Sequence, residues 1–103
     1  MKRVIIESPY AGDIKRNIKY ARKCLLDSLQ RGEAPIASYL LYTQVLDDTI
    51  PEQRTLGIDA GLEWLKSAEK HVFYIDYGYS DGMARAMQRA LRNNIEIEER
   101  TIL

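Results

Sequence analysis

Val4-Ile5-Ile6-Glu7-Ser8-Pro9-Tyr10-Ala11-Gly12-Asp13 is the stretch whose reading decides the fold. Its first half is short, apolar and β-branched, which predicts a buried strand over residues 3–7. Its second half is built of turn-forming residues and leads straight into a helical pattern. The first N–H groups of a helix lack intrahelical partners and carry the positive end of its dipole, so such a junction suits a polar ligand. The same succession recurs at His71-Val72-Phe73-Tyr74-Ile75-Asp76-Tyr77-Gly78-Tyr79-Ser80-Asp81-Gly82. Two such junctions in 103 residues predict one ligand site at the strand ends.

Outward from the first junction, Ile14, Ile18, Ala21, Leu25 and Leu29 recur at helical spacing, with Lys15, Arg16, Lys19, Arg22 and Lys23 mostly opposite. Asp13 is a suitable N-cap and Gly32 a suitable stop. Residues 34–38 read as a short second strand whose Pro35 demands an edge or strand-start position. Residues 39–45 fit either a strand or a helical turn. Pro51 opens a further helix with Glu52 in its first turn, striped by Ile58, Leu62 and Leu65 with Trp64 beside them. Residues 71–76 give a third strand, 81–92 a third long helix and 95–98 a last strand, with Asn93-Asn94 in the turn between. Strands alternating with helices predict a parallel sheet covered on both faces. Right-handed crossovers leave few topologies. The expected fold is a single α/β domain over residues 1–103. It is a small flavodoxin-like three-layer sandwich with a four-stranded, mostly parallel sheet in order 2-1-3-4, and its crevice lies at the carboxyl ends of strands 1 and 3.

Composition narrows the function classes. Fifteen basic and fifteen acidic residues balance, so no general surface for long nucleic acid is expected. Cys24 is the only cysteine, which precludes an internal disulfide and fits a reducing compartment. Its helical neighbours Ala21, Leu25 and Leu26 make it a buried structural thiol. No apolar run reaches the roughly 18 residues of a membrane span, and Lys2 and Arg3 precede too short an apolar run for a signal peptide. A cytoplasmic protein without membrane contact is expected.

Ser8, Tyr10, Gly12 and Asp13 on the first junction could hold a sugar or phosphate and stack on a base. On the second, Tyr77, Tyr79, Ser80 and Gly82 could do the same, since tyrosines in a turn are large and amphipathic. Tyr39, Tyr42, Asp47, Asp48, Glu52 and Arg54 form a polar and aromatic belt between them. There, carboxylates could perform acid–base work and Arg54 could grip a phosphate. His71 is the only histidine, has no partners at metal-ligand spacing, and is expected at the surface or partly buried. No metal site or cofactor is expected. Gly78-Tyr79-Ser80-Asp81-Gly82 matches the nucleophile-elbow pattern, yet no histidine follows it, so a hydrolase triad is rejected.

Ser8-Pro9-Tyr10-Ala11-Gly12-Asp13, Asn17, Gly32-Glu33-Ala34-Pro35, Leu40-Leu41-Tyr42-Thr43-Gln44, Leu46-Asp47-Asp48, Pro51-Glu52, Gly57-Ile58, Ala60-Gly61-Leu62, Trp64 and Ser80-Asp81-Gly82-Met83 together carry a resemblance. They resemble a small bacterial and bacteriophage family related to the nucleoside 2-deoxyribosyltransferases. The resemblance implies a nucleoside or nucleotide in the crevice and a homo-oligomer whose subunits complete each other's sites. It matches Tyr10 to an aromatic of the first loop, and Ser80 and Gly82 to phosphate-side contacts. It also implies a nucleophilic glutamate on the helix after the third strand, where this chain has Ala86. Alanine can neither form a glycosyl-enzyme intermediate nor stabilise a cationic sugar. The expectation is therefore a nucleotide-ligand-binding protein, in a phage setting a sponge for a cyclic or ADP-ribose-derived immune signal. Phosphates would sit at the helix N-termini at residues 13 and 81. The alternative is an N-glycosidase or deoxyribosyltransferase with a relocated carboxylate, for which Asp76, Asp81 and Asp48 are candidates. Leu62, Leu65 and Trp64, short of internal cover in so small a sheet, are the motive from the residues for an oligomer.

Overall fold

The computed structural model describes residues 1–103. In chain order it contains β1 (Arg3–Glu7), α1 (Ile14–Gln30), β2 (Ala34–Ile36), α2 (Ser38–Tyr42) and α3 (Pro51–Glu63). A 3₁₀ turn (Trp64–Ser67), β3 (Lys70–Tyr74), α4 (Asp81–Arg92) and β4 (Glu96–Arg100) complete it. The four strands form one all-parallel sheet in the order β2-β1-β3-β4, a flavodoxin-like sandwich. β1 and β3 lie inside the sheet and are covered on both faces, which is why they read as unbroken apolar runs. β2 is an edge strand, and Pro35 sits there opposite Val4. No helix is long and apolar enough to cross a membrane.

The two faces of the sheet carry separate cores. Val4, Ile6, Val72 and Tyr74 pack with Tyr20 and Cys24 of α1 and with Ala37. On the other face Phe73 packs with Leu62 of α3 and Met83 and Ala86 of α4, and Ile5 with Leu65 and Ala90. This arrangement buries Leu62 and Leu65 within the chain and so removes them as a motive for an oligomer. Trp64 alone of the three is exposed, its indole N–H donating to the Tyr42 hydroxyl at 2.9 Å.

α1 corrects the expected apolar stripe. Its buried side chains are Asn17, Tyr20, Ala21, Cys24 and Ser28, while Ile14 and Leu29 are 40% and 53% exposed. The helix is turned by polar contacts that apolar periodicity does not register. Asn17 Nδ2 donates to the carbonyls of Tyr10 and Ala11 at 2.9 and 3.0 Å, Tyr20 donates to Asp76, and Ser28 donates to Glu33 at 2.8 Å. The expected caps are present: Asp13 accepts from the Arg16 N–H, and Gly32 adopts φ +82° just past the helix end. Cys24 is buried, and that burial pushes its thiol up to about 12, as suits a structural cysteine.

A buried ion pair closes the α1 side. Arg100 forms a bidentate pair with Glu33 at 2.8 and 2.7 Å and also donates to Tyr74, whose hydroxyl donates to Asp27 at 2.8 Å. The third strand ends two residues earlier than residues 71–76 predict. Asp76 leaves the ladder to accept the backbone N–H groups of Ile102 and Leu103, tying down the C-terminal tail.

Candidate functional site

At the carboxyl ends of β1 and β3, on the α3–α4 side, lies a cavity of about 380 Å³. Ser8, Tyr10 and Gly12 border it from the β1–α1 loop, and Ser80 and Gly82 from the start of α4. Tyr39 and Tyr42 border it from α2, Asp48 from the loop before α3 and Arg54 from α3 itself, so that Tyr10 and Ser80, seventy positions apart, share one space.

Each wall is fixed by contacts that its local sequence dictates. Gly12 takes φ +96°, a left-handed turn costly for a side-chain-bearing residue, and Asn17 clamps the loop through the Tyr10 and Ala11 carbonyls. The Ser8 hydroxyl is buried against that of Tyr39. Burial pushes the Tyr39 phenol well above its ordinary range, although the Ser8 bond opposes this, so it stays a neutral hydroxyl. Residues 39–45, which fit two readings as sequence, begin as helix, with Thr43 Oγ1 bonded back to the Tyr39 carbonyl at 2.6 Å. Ser80 caps α4 by accepting from the Met83 N–H at 3.2 Å. Its own N–H meets the Met83 sulfur.

Several expected site residues lie elsewhere. Asp13 points to the helix it caps and does not line the cavity. Tyr77 stacks edge-on with Tyr20, its ring under the Arg16 guanidinium at 4.1 Å. Tyr79 donates to Glu99 and packs near Phe73; its phenol is pushed up to about 12, first by burial and then by Glu99. Asp76 is spent on Tyr20 and the C-terminal N–H groups; burial alone would raise its carboxyl, but these bonds hold it below the usual range. Asp47 accepts from Thr49 and shapes the loop before α3. Of the carboxylates expected to do chemistry, Asp48 and Asp81 reach the cavity. Both are engaged by Arg54, at 3.9 and 3.2 Å.

Two features escaped sequence reasoning. Glu7, the last residue of β1, lines the cavity floor, and one of its oxygens lies 3.1 Å from His71 Nε2. His71 is fully buried, contrary to expectation, and its Nδ1 has no partner. The period-two rule carried the signal, since Glu7 shares a face with Ile5 and emerges at the carboxyl edge where ligands bind. The second feature is the pair Gly57 and Gly61 on α3. A Cβ at Gly61 would meet the Ser38 side chain, its Cβ 3.1 Å away, so the missing side chain is what lets α2 approach α3. Ala86, at the position where the resemblance places a glutamate, also lines the cavity.

Among curated proteins none matches this chain. A family profile described as a domain of unknown function, DUF7768, matches residues 2–100. The chain, over nearly its whole length, belongs to the DUF7768 family.

Proposed function

We propose that this chain binds a nucleoside- or nucleotide-class small molecule in the cavity at the strand ends and holds it without breaking a bond. The observation that carries this reading is the convergence of Tyr10 and Ser80 on one cavity walled by Tyr10, Tyr39 and Tyr42. At about 380 Å³ the space falls in the range of small-ligand pockets. Aromatic stacking contributes roughly 1–3 kcal/mol per base and needs no catalytic group. Ala86 leaves the expected nucleophile position without a carboxylate, which favours binding over cleavage. The likeness to the deoxyribosyltransferases supports the same ligand class. In a phage setting the reading becomes sequestration of an immune signal.

Incubation with nucleosides and nucleotides, then heat denaturation and chromatography of the supernatant, tests this. Recovery of the intact ligand, after a thermal shift on binding, is expected. A second reading, an N-glycosidase with a relocated acid, is favoured by one observation: the Glu7 carboxylate in the cavity floor. Free base in the supernatant would select it. A homo-oligomer belongs to the same resemblance-based proposal, and sedimentation of a monomer alone at micromolar concentration would count against it.

A further inference from the structure

The charges around the cavity do not suit a phosphate. Glu7, Asp48 and Asp81 line it against one guanidinium, Arg54, which already lies 3.9 Å from Asp48 and 3.2 Å from Asp81. Arg85 approaches Asp81 from outside the cavity at 3.3 Å, so this second cation at the α4 N-terminus is held by the same carboxylate. Ser80 spends its hydroxyl on the Met83 N–H, which leaves the N–H groups of Asp81 and Gly82 as the α4 donors without an intrahelical partner. Those two donors sit beside the Asp81 carboxylate itself. A phosphate entering here would lose its hydration shell in exchange for two amides and a guanidinium already held by carboxylates, while three like charges face it.

The floor has the opposite character. Glu7 keeps one oxygen 3.1 Å from His71 Nε2, and its second oxygen has no partner in the chain. His71 is fully buried with Nδ1 unpartnered, so the arrangement that strands no buried N–H puts the ring proton on Nε2, donating to Glu7. The carboxylate is thereby oriented, and Glu7, which lines the cavity, keeps an oxygen that no group of the chain claims. Such an acceptor recognises hydroxyl or amino N–H donors, as on a sugar or a base, and repels an anion.

We propose that the cavity selects the uncharged nucleoside over its phosphates, with Glu7, positioned by His71, accepting a donor of the ligand. This rests on the nucleoside-class reading above and narrows it; it also sets the ligand apart from cyclic and ADP-ribose-derived phosphates.

The test is calorimetric titration of the full chain, at low salt, with the common ribo- and deoxyribonucleosides, each paired with its own 5′-monophosphate. For any pair that binds, the nucleoside should bind at least about tenfold more tightly, equivalent to about 1.4 kcal/mol. Added salt should narrow that gap. Glu7→Gln keeps the shape and an oxygen for His71, and should weaken nucleoside binding while narrowing the gap. A monophosphate that binds as tightly as its nucleoside overturns the selectivity and leaves the ligand class standing. A gap unchanged by Glu7→Gln, with the variant melting cooperatively, overturns the role of Glu7. No binding by any of these compounds overturns the ligand class itself, and the inference with it.

Discussion

The two faces of the sheet each bury charged or polar groups, and they dispose of them in opposite ways. On the α1 face, Arg100 and Glu33 satisfy one another with two bonds, and Ser28, Tyr74 and Asp27 take up neighbouring positions in a closed network. On the α3–α4 face, Glu7 has one oxygen committed and one free, and His71 has a nitrogen with no partner. Buried polar groups that are fully paired specify a packing arrangement, whereas Glu7 in the cavity wall keeps an acceptor oxygen unclaimed by the chain. The first face is architecture, and the second is the face to which the proposed function belongs.

The largest expected effect breaks the closed network. Glu33→Ala strips the buried Arg100 guanidinium of its bidentate carboxylate, leaving it Glu98 alone, and should lower unfolding free energy by about 3 kcal/mol, measured by urea denaturation. Ligand affinity of the molecules that remain folded should be unchanged. A matched loss of affinity would show that the two faces are not separable. Next, Gly61→Ala forces a methyl against Ser38 and should cost about 1–3 kcal/mol through overpacking. It should also weaken ligand binding, because α2 and α3 wall the cavity.

Smaller effects distinguish the second junction from the first. Tyr77→Ala removes the Arg16 and Tyr20 contacts and should cost about 1 kcal/mol in stability with no change in affinity. Tyr10→Ala should do the reverse, and thermal melts with and without ligand separate the two. The smallest effect is on pH dependence. Glu98 is held down to about 2, first by Arg100 and then by Lys70. Its folded value lies below its unfolded one, so the stability it adds is whole above about pH 4.3 and is lost as pH falls toward 2. Urea midpoints across that window should decline less steeply in Glu98→Gln than in the unsubstituted chain.

The strands, their order and the edge on which the cavity opens were legible in the sequence, because each follows from local period and from chirality. Pro35 placed β2 at an edge, and Asp13 and Pro51 marked helix starts. What stayed hidden depended on partners distant in the chain. Nothing near Tyr77 or Tyr79 reveals that Tyr20, Arg16 and Glu99 will claim them. Asp76 looked available until the tail at Ile102 and Leu103 folded onto it. The burial of Asn17 and Ser28 in place of Ile14 and Leu29 rests on hydrogen bonds, which hydropathy spacing does not encode. Glu7 differs from these, since its strand parity was visible and needed only to be combined with the carboxyl-edge rule.

Amide chemical-shift mapping during titration with a nucleoside puts the α3–α4 face to the most direct test. Shifts should cluster at Ser8, Tyr10, Gly12, Arg54 and Gly82, while β4 and the C-terminal tail stay still. Shifts confined to the α1 face or the tail, or none at saturating nucleoside, would contradict the assignment of this cavity as the ligand site.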